Sequence, residues 1–199
     1  MRNTPTILLR DLSEEMTSEW RQAFAQFPEV EVSCGDILNL KADAIVSPAN
    51  SFGYMDGGID QAYSHFFGWE IQTTLQQKLF REHFGELPVG QAVILPTGHK
   101  DIPLLISAPT MRIPSTISNS LNAYLAFRAV LILIVEHNRM HTPGIDTVLV
   151  PGMGTGVGRM PYGRAANQMR AAYEAVIGYS GTRERNLGEI WREHALLLS

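Results

Sequence analysis

The chain has 199 residues, 45% of them hydrophobic, and a formal net charge of −4 at pH 7, so we expect one domain over residues 1–199 with its own hydrophobic core. The single Cys34 excludes an internal disulfide and a cysteine-rich zinc site, which predicts a reducing, cytoplasmic location. The acidic balance disfavours nucleic acid as a default partner, and the longest apolar run, Ala129–Val135, is too short to span a membrane.

The first half of the chain alternates strand patterns with helix patterns. Short apolar runs at Thr6–Leu9, Val30–Ser33 and Ala44–Val46 are typical of strands. Two longer segments, Ile59–Phe67 and Trp69–Phe84, have the apolar spacing of helices, and a further helical stripe follows the first strand. Its members are Met16, Trp20, Ala23, Phe24 and Phe27.

The second half continues the same alternation. Val93–Leu95, Leu104–Ile106 and Thr147–Val150 are predicted strands, and Ser118–His137 has the length and apolar content of a buried helix. Two more helical stripes complete the chain. The first contains Ala165, Met169, Ala172, Tyr173 and Val176, and the second contains Leu187, Ile190, Trp191, His194 and Leu198.

This alternation predicts an α/β fold with helices on both faces of a largely parallel sheet. Ligands of such sheets bind at the carboxyl ends of the strands. Asn50 and the loop that contains Gly152 both follow strand ends. We therefore expect these two regions to converge on one crevice.

Two glycine-rich segments, Asp56–Asp60 and Pro151–Gly158, lie between a predicted strand and a predicted helix. Free backbone amides and the positive end of a helix dipole at such turns suit a phosphate group. Neither the P-loop pattern nor the dinucleotide fingerprint is present. A flexible turn is the alternative, but four glycines within residues 152–158 cost more backbone entropy than a turn requires. We interpret the two segments as a phosphate cradle.

The glycine segments belong to a longer pattern that resembles the macrodomain family of ADP-ribose-binding modules. The matching segments are Gly35–Ile37, Ala42–Asn50, Gly57–Asp60 and Pro151–Gly158. The resemblance covers about residues 31–177, with a strand and helix before it and a helix after it. It implies a three-layer α/β/α sandwich with a mixed, largely parallel sheet, and it implies no metal and no other cofactor.

The resemblance also implies roles for individual residues. Asp36 would accept a hydrogen bond from the adenine amino group, with the Ile37 amide beside it, and Asn50 would contact the distal ribose. Gly57 and Gly58 would let the backbone approach that sugar. The diphosphate would be held by Gly152, Gly154, Thr155, Gly156, Val157 and Gly158. The alternatives are a turn-forming Asp36 and an Asn50 in a left-handed turn.

Asp60 is the main catalytic candidate, with Asn50 as its partner, because hydrolytic macrodomains carry an aspartate at the matching position. Asp60 would position or deprotonate a water molecule, whereas the alternative is a carboxylate that satisfies the first amides of a helix. The implied function is hydrolysis of a mono-ADP-ribosyl group, ADP-ribose 1''-phosphate or O-acetyl-ADP-ribose. The implied partner is ADP-ribose or an ADP-ribosylated macromolecule. A non-catalytic ADP-ribose recognition module is the alternative, and a nucleic-acid-associated module is less favoured.

Several residues depart from the family pattern or have no fixed role in it. Ser47-Pro48 replaces the usual Asn-Ala, and Asp56 replaces a glycine. Arg159 would either pair with a phosphate or face solvent. Tyr162 and Phe52 are candidates for stacking on the adenine.

Overall fold

The computed structural model describes residues 4–178 and 186–199. Within these ranges, six strands form one sheet in the order β2-β1-β6-β3-β5-β4. The strands are β1 (Thr6–Asp11), β2 (Val30–Cys34), β3 (Ala44–Ser47), β4 (Val93–Pro96), β5 (Leu104–Ser107) and β6 (Thr147–Val150). Every neighbouring pair is parallel except β4 and β5, which are antiparallel. The prediction of a mixed, largely parallel sheet is therefore confirmed.

Six α-helices are found in the same described ranges, together with a short 3₁₀ helix at Ile37–Asn39. They are α1 (Glu14–Ala23), α2 (Gly58–Phe67), α3 (Glu70–His83), α4 (Asn122–Met140), α5 (Tyr162–Val176) and α6 (Leu187–Leu198). Helix α4 begins at Asn122 rather than at Ser118, because the Ser120 hydroxyl donates to the Ile117 carbonyl and accepts from the Asn122 amide. None of these helices is long and apolar enough to cross a membrane.

The helices form one layer on each face of the sheet. Alternation along β3 shows this division, since Ala44 and Val46 point into one apolar cluster and Ile45 points into the other. The first cluster contains side chains of α1, α4 and α5, among them Trp20, Phe127 and Met169. The second contains side chains of α2 and α3, among them Tyr63, Ile71, Leu75 and Leu79. The expected three-layer α/β/α sandwich is thus confirmed.

Strand β1 lies inside the sheet, between β2 and β6. Ile7 pairs with Val30 on one side and with Val148 on the other. Its two buried apolar residues, Ile7 and Leu9, belong to the cluster under α1 and α5. The N-terminal strand therefore contributes directly to the core.

Helix α6 is joined to the body of the molecule by the buried side chain of Gln168 on α5. Its Oε1 accepts from the Tyr124 amide at 3.1 Å, and its Nε2 donates to the carbonyls of Ser120 at 2.7 Å and Leu197 at 2.8 Å. One carboxamide thus links α5 to the start of α4 and the end of α6. Apolar residues cannot replace these contacts, because each backbone group would then be left without a partner.

We expect Gln168→Met to lower the free energy of unfolding by about 3 kcal/mol, since buried backbone groups that lose a partner cost roughly 1–3 kcal/mol each. Urea denaturation followed by circular dichroism would measure the change. The control is Gln77→Met on the exposed face of α3, which should alter stability by less than about 0.5 kcal/mol. Equal stability of the two variants would contradict the prediction.

Candidate functional site

A cavity of about 540 Å³ lies at the edge of the sheet where β1, β3 and β6 end. It is bordered by the loops that follow these strands and by the first turn of α2. All residues predicted for the site line it: Asp36, Ile37, Asn50, Gly57, Gly58, Asp60, Gly152, Gly154, Thr155, Gly156, Val157 and Gly158. Asn50 and the loop that contains Gly152 therefore converge on one cavity, as expected. The cavity lies at the carboxyl ends of the strands, where ligands of such sheets bind.

The loop after β6, residues 151–158, turns back on itself through backbone hydrogen bonds. The Met160 amide donates to Gly154 O and the Arg159 amide donates to Gly156 O, both at 3.0 Å. Gly154 has a φ of +74°, and a Cβ on Gly158 would collide with the Gly154 carbonyl oxygen. Two of the glycines are therefore required by the shape of this loop.

The amides of residues 154–158 have no hydrogen-bond acceptor among the residues that the structure describes. All five residues line the cavity. Successive free N–H groups in a turn form a concave site with positive partial charge. The loop is consequently suited to an anion.

The first glycine segment lines the same cavity at the start of α2. Gly57 precedes this helix without a side-chain cap, and Gly58 follows with a φ of +57°. A Cβ on either residue would have no neighbour within 4 Å, because both are exposed at the cavity. The positive end of the α2 dipole thus adds to the potential of the glycine loop.

Asp36 begins the 3₁₀ helix and also lines the cavity. Its Oδ1 accepts from the Leu38 amide at 2.9 Å. Within the described ranges its second carboxylate oxygen has no hydrogen-bond partner. The turn-forming interaction and an interaction with a ligand donor are therefore compatible.

The Asn50 carboxamide is largely occupied within its own loop. Its Oδ1 accepts from the amides of Phe52 at 3.1 Å and Tyr54 at 3.3 Å, and its Nδ2 donates to Tyr54 O at 2.8 Å. The alternative of a left-handed backbone at Asn50 is wrong, because this residue has a negative φ and bridges to Met111. Asn50 retains one amide hydrogen for a ligand.

Asp60 lies in the first turn of α2, and its side chain is buried, with only 7% of the residue exposed. Its Oδ1 accepts from the Ser47 hydroxyl at 2.6 Å. Burial raises the pKa of Asp60 to about 7, although the hydrogen bond from Ser47 acts in the opposite direction. Among the described residues Ser47 is its one hydrogen-bond partner, so Asp60 does not satisfy helix amides. A carboxyl group with this pKa is suited to accept a proton near neutral pH.

Two polar residues at the end of β1, Arg10 and Asp11, were not predicted as site residues from the sequence. Asp11 Oδ2 accepts from the Gly152 amide at 3.2 Å, and Arg10 Nε donates to Asp36 O at 3.0 Å. Both residues line the cavity. The signal was present, because β1 extends to Asp11 rather than ending at Leu9 and polar residues at strand ends mark ligand sites in such folds.

Tyr162, Met111 and Pro114 also line the cavity, whereas Phe52 and Arg159 are outside its described lining. Phe52 instead lies under the guanidinium of Arg112, 5.1 Å from the ring centroid. Of the two stacking candidates, Tyr162 is the one placed at the cavity. Arg159 is exposed, with a left-handed backbone.

Sequence comparison gives one family match and several relatives. Residues 46–169 match the family model described as Macro domain. An uncharacterised protein of Aquifex aeolicus is 36% identical over 141 residues, which cover 71% of this chain and 78% of the relative. A macro domain-containing protein of Cupriavidus necator is 31% identical over 150 residues, which cover 74% of this chain and 82% of the relative.

Solved structures with a similar fold include the macrodomain of Mycobacterium tuberculosis DarG. It has a TM-score of 0.58 and 24% identity, and the match covers 72% of this chain and 88% of that one. A mutant of the Oceanobacillus iheyensis macrodomain with ADPR also has a TM-score of 0.58, with 19% identity over 86% of this chain and 79% of that one. At these identities the likeness shows a shared fold.

We expect Gly158→Ala to lower the melting temperature by several degrees, because the new Cβ would displace the Gly154 carbonyl. Gly156→Ala is the matched control, since a Cβ there has no neighbour within 4 Å. Its melting temperature should remain within about two degrees of wild type. Differential scanning calorimetry would measure both, and equal melting temperatures would contradict the assigned loop geometry.

We expect Asp60→Asn to raise the free energy of unfolding, relative to the wild-type protein, by more at pH 8 than at pH 4. The folded-state pKa is raised from its ordinary 3.8 to about 7, so the native state keeps a proton that the unfolded state releases between these values. The free energy of unfolding of the wild-type protein therefore falls as pH rises through this window, by up to roughly 4 kcal/mol. Asp60→Asn has no carboxyl group here and does not show this loss. Urea denaturation of both proteins at the two pH values would test this, and a pH-independent difference would contradict it.

Proposed function

Because the chain belongs to the macrodomain family, we propose that its cavity binds ADP-ribose and that the protein hydrolyses ADP-ribose adducts. The observation that carries this proposal is the convergence of free loop amides, the Asp36 carboxylate and a buried Asp60 on one cavity. The first two features suit a nucleoside diphosphate, and the third suits hydrolysis. ADP-ribose bound to the Oceanobacillus iheyensis macrodomain supports the choice of ligand.

The diphosphate would lie against the free amides of residues 154–158, in the cavity that the N-terminus of α2 also lines. The adenine amino group would donate to the unpaired oxygen of Asp36, with Ile37 beside it. Gly57 and Gly58 would contact the distal ribose through their backbone, since neither carries a Cβ to exclude the sugar. In this arrangement backbone amides and the positive end of the α2 dipole face the phosphates, and the Asp36 carboxylate faces the adenine amino group.

The distal ribose would place its anomeric carbon near Asp60. In this mechanism Asp60 accepts a proton from a water molecule, and the water oxygen forms a bond to the anomeric carbon or to the group attached there. The bond to the leaving group breaks, and its electron pair departs with that group. The pKa of Asp60, raised to about 7 by burial, allows the carboxylate to take the proton near neutral pH.

The anchoring of Asn50 favours a second candidate function, an ADP-ribose recognition module without turnover. Three hydrogen bonds hold its carboxamide within the loop, which leaves one amide hydrogen for a ligand. The free backbone amides of the glycine loop would still bind a diphosphate. The two functions differ in whether the protein hydrolyses ADP-ribose adducts with the help of Asp60 or only binds ADP-ribose.

Sustained release from one ADP-ribose derivative would test hydrolysis. The substrates are carboxyl-linked, nucleobase-linked, 1''-phosphorylated and acetylated ADP-ribose. Each is incubated with the protein under multiple-turnover conditions, and the products are separated by chromatography. We expect kcat/KM to rise with pH and to level off above about pH 7, because the base must be ionised. Binding of ADP-ribose without release would favour the recognition module, and absence of both would contradict the proposal.

We expect Asp60→Asn to reduce turnover by at least about 100-fold, which is the typical contribution of a general base. Affinity for ADP-ribose, measured by calorimetry, should change by less than about threefold because the loop amides remain. Asp146→Asn, an exposed carboxylate before β6, is the control for loss of one negative charge. Equal losses of turnover and affinity in Asp60→Asn would assign Asp60 to binding or structure.

A further inference from the structure

Two buried serines end neighbouring strands under α2. Ser47 is the last residue of β3 and Ser107 is the last residue of β5, and the two are paired in register. Their exposures are 0% and 1%. They follow Ile45 and Leu105 by two positions, so they lie on the face of the sheet that carries the α2 and α3 cluster.

The two hydroxyls differ in what they contact. Ser47 Oγ donates to Asp60 Oδ1 at 2.6 Å. Ser107 Oγ is the one fully buried side-chain polar atom without a hydrogen-bond partner in the described part of the chain. A buried hydroxyl is costly unless it is paired, and the hydroxyl of Ser47 is paired with Asp60.

The second carboxylate oxygen of Asp60 is in a different environment from the first. Oδ2 has no hydrogen bond to a described residue and is also not one of their fully buried unpaired atoms. It therefore retains exposure, and Asp60 is a lining residue of the cavity. Oδ1 is thus held by the Ser47 hydroxyl, while Oδ2 is available to a further hydrogen-bond donor.

We propose that Ser47 is a positioning residue for Asp60, whose hydroxyl holds Oδ1 and thereby directs Oδ2 toward the cavity. This inference rests on the proposed function, in which Asp60 is the general base. At position 47 this sequence also has a serine in place of the asparagine of the family pattern. The Ser47–Asp60 hydrogen bond then couples the end of β3 to the reacting group.

The hydrogen bond also affects the ionisation of Asp60. A hydroxyl that donates to a carboxylate stabilises the charged form, and Ser47 lowers the pKa of Asp60 against the larger effect of burial. Other charged or titratable groups also line the cavity and face the same space. They are Arg10, Asp11, Asp36, Tyr54, Asp56, Tyr63 and Tyr162. A substitution at Ser47 leaves all of them in place, so it isolates this one interaction.

The test compares Ser47→Ala with Ser107→Ala. Both substitutions remove a hydroxyl oxygen from a fully buried serine, and the two serines are paired in register on neighbouring strands. Of the two, only Ser47 donates a hydrogen bond to Asp60. Carbon-13 NMR of labelled aspartate carboxyls, with Asp60 assigned by its loss in Asp60→Asn, gives the titration midpoint directly. We expect Ser47→Ala to raise this midpoint by about one pH unit, typical of losing a charge-assisted hydrogen bond. Ser107→Ala should leave it unchanged.

The pH profile of turnover provides the second measurement. A midpoint that rises by one pH unit lowers the ionised fraction at pH 7, so turnover of Ser47→Ala should fall by roughly fivefold and recover at higher pH. Ser47→Thr, which keeps the hydroxyl, should restore the wild-type midpoint. A purely structural role for Ser47 would lower turnover equally at every pH.

The outcomes separate this inference from the proposed function. Identical Asp60 midpoints in wild type and Ser47→Ala, or equal shifts in the two alanine variants, would overturn the role of Ser47. Absence of turnover in the wild-type protein would overturn hydrolysis, while the carboxyl titration would still decide whether Ser47 controls Asp60.

Discussion

The parallel alignment of β1, β6 and β3 is the constraint on which the site depends. Parallel strands end at one edge of a sheet, so the residues that follow them meet although they are far apart in the chain. Asp11 thereby reaches the Gly152 amide. The core clusters on both faces hold the three strands in register and leave the loops to shape the cavity.

Within that frame, burial has the largest effect on the ionisation of one carboxyl group at the cavity, that of Asp60. The first turn of α2 places Asp60 over the end of β3, where little water reaches it. Burial opposes ionisation of Asp60, while the hydrogen bond from the Ser47 hydroxyl favours it. The balance leaves a carboxyl group near the midpoint of its titration at neutral pH. The glycine loops, in contrast, contribute backbone amides with no proton to exchange.

The same side chains combine structural and ligand-facing features. Asp36 caps a 3₁₀ helix with one oxygen and leaves the other free, and Asn50 uses most of its carboxamide to hold the loop up to Tyr54. Such double use keeps the groups preorganised, because their rotamers are fixed before a ligand arrives. For Asp36 it also explains why the turn-forming and the ligand-binding interpretations are compatible.

The sequence by itself determined the order and type of the elements and the two glycine segments, because apolar periodicity and glycine turns are local properties of the chain. The resemblance to a family also predicted Asp60 as the catalytic candidate. Only the tertiary structure decided that Ser47 contacts Asp60, that Asp11 holds Gly152 and that Asn50 is occupied by its own loop. These contacts depend on strand register and on where each strand ends, and the free energies that set both come from packing between residues distant in sequence.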